Sequence, residues 1–172
     1  MKFLTVLLSL MLASTAVAQT PTSYYGYLPV VLEPLPWTTY FSCYAAQMNA
    51  TQRQSTATID RVSCMTAIAN ATVARSQVLT ELPDTPVDEI NAKLMDAMTL
   101  LNAGDEYRDN ADIWMKAAQH AAELSWWITA ENSYTTAAER YEEASIRYGL
   151  ARDAANEALM SCYEILMTVG MP

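Results

Sequence analysis

Asn132–Gly170 reads NSYTTAAERYEEASIRYGLARDAANEALMSCYEILMTVG. Tyr134, Tyr141, Tyr148, Ala155, Cys162 and Val169 recur every seven residues, and Ala137, Ala144, Ala151, Ala158 and Ile165 fill the alternate positions. A repeat of that length has the period of one helix face held against a partner. Glu139, Arg140, Glu142, Glu143, Arg147, Arg152 and Asp153 fall beside the seam, where a solvated surface belongs. Asn132 or Ser133 suits the start as a cap, and Gly170 suits the stop. Small side chains in the seam let two helix axes approach closely, with Tyr rings filling the rows beside them.

Upstream, a second stripe runs through Val87, Ile90, Leu94, Ala97, Leu101, Gly104, Arg108, Ala111, Met115, Ala118, Ala122 and Ser125. Pro83-Asp84-Thr85-Pro86 breaks the chain before it, with Asp84 or Thr85 as the cap. Asn102–Asp105 offers either a break or a passage, and the heptad phase survives on both sides of Gly104, which favours passage at a cost of about 1 kcal/mol for the Gly. The first helical stretch spans Trp37 to about Thr80 without Gly or Pro. Its alternating three-and-four stripe is Phe41, Tyr44, Met48, Thr51, Ser55, Thr58, Val62, Met65 and Ala69, with Thr38 or Thr39 as cap. The fold expected is all-α: an elongated up-down bundle of three long helices over residues 37–170, or four if the chain breaks at Gly104. Each helix would be roughly 40 residues and 60 Å long.

Residues 1–18 read as a secretory signal peptide: Met1-Lys2, an apolar run from Phe3 to Ala13, and the small-residue site Ala16-Val17-Ala18. That run is too short to span a bilayer, and no later segment has the apolar length of a membrane helix. Residues 19–36 contain Pro21, Pro29, Pro34 and Pro36 among Tyr, Leu and Val, so an extended segment is expected there.

The chain holds 10 Lys+Arg against 19 Asp+Glu, a net charge of −9, and loss of Lys2 with the leader makes it one unit more acidic. With no basic cluster, neither nucleic acid nor an anionic membrane surface is an expected partner. Asn49-Ala50-Thr51 and Asn70-Ala71-Thr72 are glycosylation sequons at one heptad position beside the first stripe.

Export makes a disulfide an expectation for Cys43, Cys64 and Cys162. Cys43 and Cys64 lie twenty-one residues apart on one helix, about 31 Å, beyond the reach of a disulfide. Counting levels along an up-down-up bundle pairs Cys64 with Cys162 and leaves Cys43 as a buried thiol or as the link of a homodimer.

His120 is the sole histidine and sits in an ordinary helix-surface context, so no Ser-His-Asp or Cys-His site is expected. Three scattered Cys and one His supply no zinc or di-iron ligand set, and 4 Gly make no phosphate loop. No metal, cofactor or catalytic residue is therefore expected. Trp114, Trp126 and Trp127 join Tyr134, Tyr141 and Tyr148 either as core filling or around an apolar ligand between helices. Trp126-Trp127 falls at the turn into the last helix, which makes it the candidate contact surface.

Phe41-Ser42-Cys43-Tyr44, Cys64 in a long Ala/Thr helix and Ala158-Leu159-Met160-Ser161-Cys162-Tyr163 resemble the insect tsetse EP-domain proteins. The resemblance implies a small secreted helical protein of gut or reproductive secretions with no catalytic residues, although the Glu-Pro repeat tail of the name-giving member is absent. A weaker similarity is to the plant invertase and pectin methylesterase inhibitors, also secreted helical bundles. The functional expectation is a secreted, non-enzymatic protein of extracellular fluid that binds protein or glycan partners. The alternatives are a carrier of lipid or another apolar small molecule, and an inhibitor of a secreted enzyme.

Overall fold

The computed structural model describes residues 36–168. The expected signal peptide 1–18, the extended segment up to Leu35, and the Val169 and Gly170 positions lie outside the described residues. Three α-helices account for the fold: α1 Pro36–Glu81, α2 Asp88–Glu123 and α3 Trp127–Thr168, and no strand occurs among the described residues. α2 runs unbroken through Gly104, so the four-helix alternative does not hold for these residues.

Pro36 opens α1, a first-turn position where its missing N–H costs nothing. α2 starts with Asp88 and Glu89 in its first turn, and its N-cap is Val87 rather than Asp84 or Thr85. The acidic pair opposes the positive end of the helix dipole and takes over part of the work of a side-chain cap. α2 ends in a Schellman motif: the N–H of Trp126 donates to the carbonyl of Ala121, and that of Ser125 to Ala122. Ser125 occupies the left-handed position at φ 60°. This tight turn lets α3 begin at Trp127, several residues before the expected Asn132 or Ser133. Ser133 is instead a buried helical residue whose hydroxyl donates to the Thr129 carbonyl.

The Tyr/Ala seam of α3 is buried from Tyr134 to Cys162, and beyond it Ile165 is half-buried while Leu166 turns inward. On α2 the buried residues Ile90, Leu94, Ala97, Gly104, Ala111, Met115 and Ala118 follow the expected stripe. α1 corrects the reading. Its buried line is Cys43, Ala50, Ala57, Cys64, Ala71 and Val78, at strict seven-residue steps, while Phe41, Tyr44, Met48, Val62 and Met65 face solvent. The three-and-four spacing was real, but it belongs to the outer face. The inner face is made of small residues because α3 already brings three Tyr rings to the contact.

α3 makes extensive contacts with both other helices, and α1 and α2 touch each other much less. Contact partners fix the levels. Between α1 and α2 they are Gln54 with Asp112, Arg61 with Asp105, and Arg75 with Asn91. Between α2 and α3 they are Lys93 with Ser161, Asp105 with Tyr148, and Asp112 with Tyr141. Between α1 and α3 they are Ser42 with Glu131, Arg53 with Glu142, and Asp60 with Ser145.

Candidate functional site

Two three-helix junctions lie one heptad apart at mid-height. In the first, the Tyr148 hydroxyl donates to Asp105 Oδ1 at 2.6 Å, and the Arg61 guanidinium donates to both oxygens of the same carboxylate at 2.7 and 3.0 Å. Arg108 approaches it at 3.3 Å. In the second, the Tyr141 hydroxyl donates to Asp112 Oδ1 at 2.5 Å and the Gln54 amide donates to the same oxygen at 3.3 Å. All three parts advance by seven: Asp105 to Asp112, Tyr148 to Tyr141, Arg61 to Gln54. Each aspartate of α2 therefore bridges α1 and α3.

The paired guanidinium, with help from the Tyr148 hydroxyl, holds the Asp105 carboxyl below the usual carboxylate range. Burial raises the Tyr148 and Tyr141 phenols well above their ordinary value, and the hydrogen bonds they donate to aspartates add to it. Neither phenol is disposed to give up its proton. These groups are engaged in bonds between the helices. Sequence reasoning misses these junctions: Asp105 and Asp112 share a seven-residue step, but they look like surface until their distant partners are known.

The expected bridge between Cys64 and Cys162 is corrected. All three cysteines are buried free thiols. The partner levels of α1 and α3 put Cys162 beside residues near 75 of α1, and Arg75 indeed acts on it. Cys64 lies roughly 14–20 Å away along the helices, too far for a disulfide. The early start of α3 at Trp127 is the cause, because it slides the whole helix relative to the level count. Burial pushes all three thiols up, and Glu131 adds to the effect at Cys43. At 4 % exposure Cys43 offers no sulfur to a second chain.

Asn49 and Asn70 are exposed on α1. His120 is exposed in the last turn of α2, 3.6 Å from Glu123. Among the described residues no group of His, Cys, Asp and Glu could hold a metal ion, and no helix is long and apolar enough to cross a membrane. An open groove of about 780 Å³ between α2 and α3 is lined by Glu89, Lys93, Asp153, Glu157 and Glu164 beside Ile90 and Met160. That many charges suit an apolar cargo poorly.

The candidate contact surface lies where the start of α1 meets the α2–α3 turn. Trp37 is 72 % exposed and Trp126 46 %, with exposed Phe41, Leu124 and Ile128 around them. Trp127 is half-buried against the core, and the Tyr40 ring meets it edge-on at 5.1 Å. Tyr40 in turn touches the Phe41 ring at 5.8 Å. The packed pair Tyr40–Trp127 anchors a platform whose outer rings stay open.

No protein-family model, curated protein or solved structure matches the chain.

Proposed function

We propose that the chain is a secreted, non-enzymatic helical protein of an extracellular fluid that works by binding a protein or glycan partner through its aromatic end. The exposure of Trp37, Phe41 and Trp126 beside the anchored Tyr40–Trp127 pair carries this reading. Open aromatic faces fixed on rigid helices are what sugar rings and apolar side chains pack against, and they lose little entropy on doing so. The employment of Asp105, Asp112, Tyr141 and Tyr148 in interhelical bonds supports a binding role over a catalytic one. Up-down-up order belongs to the same proposal, supported by partner numbers that run oppositely on α1 and α2 and together on α1 and α3. Glycans on Asn49 and Asn70 are part of it too, since both side chains face outward.

The test is a glycan array and a panel of extracellular proteins probed with the secreted chain, alongside Trp37→Ala and Trp126→Ala. Binding that both substitutions weaken by about tenfold or more, with helix content unchanged, supports the reading. Substrate turnover in a broad hydrolase screen, or binding indifferent to both tryptophans, overturns it.

A further inference from the structure

We infer that the outer face of α1 is a self-association surface that docks against the same face of a second copy of this chain. Opposite the buried Cys43–Val78 line, the helix presents Met48, Ile59, Val62 and Val73 to solvent. This set sits on a three-and-four alternation, which is the spacing of a helix-pairing seam. Val62, near its centre, is 58 % exposed. The face extends over about twenty-five residues, about 40 Å of helix.

Its chemistry selects the occupant. From Thr38 to Thr80 no exposed position of α1 holds Asp, Glu, Lys or Arg. The four charged residues of that stretch reach neighbouring helices, Arg53 to Glu142, Asp60 to Ser145, Arg61 to Asp105 and Arg75 to Asn91, and Arg61 also reaches Met65 on the flank of the face. The hydroxyls between the apolar groups donate to carbonyls of their own helix, as Thr51 does to Gln47, Ser55 to Thr51 and Thr58 to Gln54. Removing these hydroxyls from water therefore leaves none of them without an acceptor.

Elsewhere the surface is acidic, with exposed Glu106 and Asp109 on α2 and Glu139 and Glu157 on α3, in a chain of net charge −9. Two copies repel one another through those helices. A symmetric pair requires one patch compatible with itself, and the charge-free face of α1 meets that requirement. A partner attracted by charge would settle on α2 or α3 instead.

The experiment is sedimentation velocity on the full chain from Gln19, up to about 100 µM. The wild type is expected to sediment as a dimer. An Ile59→Glu, Val62→Glu double variant places carboxylates against their own copies, so its dissociation constant should weaken at least about 100-fold with unchanged circular dichroism. Ile113→Glu, an equally exposed apolar site on α2, should leave the dimer intact. Three results overturn the inference: a monomeric wild type across the range, a dimer indifferent to the double variant, or cross-links showing residues 19–35 lying on the face in a monomer. Because Ile59 and Val62 are remote from Trp37 and Trp126, partner binding at the aromatic end is scored separately by the tryptophan variants. Loss of one reading leaves the other measurable.

Discussion

Asp105 shows how one side chain ties stability to pH. Its carboxyl is held below the unfolded value of about 3.9 by Arg61 and Tyr148. A depressed carboxyl stabilises the fold above the unfolded value, and that contribution disappears as pH falls through the folded one. The wild type should therefore lose stability steeply below about pH 4, and Asp105→Asn should flatten that loss while costing about 1–2 kcal/mol at neutral pH. Urea titrations of both proteins at several pH values measure it, and parallel pH profiles would contradict it. Ser125 makes the opposite kind of prediction. A non-glycine residue in the left-handed region carries strain, here at φ 60°, so Ser125→Gly should stabilise the protein by about 1 kcal/mol. In a thermal melt that is a rise of about 2–4 °C.

At the scale of a helix, Gly104 decides how closely α2 and α3 approach. A Cβ added there would lie 2.5 Å from Cε1 and 2.7 Å from Cδ1 of the Tyr148 ring, which is buried and tied to Asp105. Helix propensity alone favours Gly104→Ala by about 1 kcal/mol. The blocked ring should reverse the sign, leaving a net loss of about 1–3 kcal/mol by denaturant titration. A stabilised variant would show that the ring has somewhere to go. The seams of α2 and α3 were legible in the sequence because their buried positions alternate with charged flanks. α1 departs from its apolar stripe for a physical reason: most of its larger apolar residues lie outside, and the line that packs inward is Ala and Cys until Val78, whose small members satisfy space rather than hydropathy. Hydrophobic spacing reports helix period faithfully, but when two faces share that period it does not say which one is buried.

For the molecule as a whole, the cysteines give a direct readout of helix register. With all three buried and free, Ellman's reagent should find almost no thiol in the native protein and three after unfolding without reductant. Fewer than three would mean a bridge, and a different register for α3. The aromatic contact end was legible in part: Trp126-Trp127 announced a turn, but Trp37, Tyr40 and Phe41 joined it only because α1 starts at the same level. The Asp–Tyr junctions were not legible, since their partners lie 29 to 58 residues away in the chain. They also settle a question that alanine leaves open. A rod faced with Ala every seventh residue can slide one repeat along another and find nearly the same fit. Such a slip would carry Arg61 past Asp105 and set Ile68 or Gln54 in its place, costing that carboxylate its two-pronged guanidinium partner. The two aspartates act as a vernier, letting this chain choose one axial setting among several that packing alone would accept.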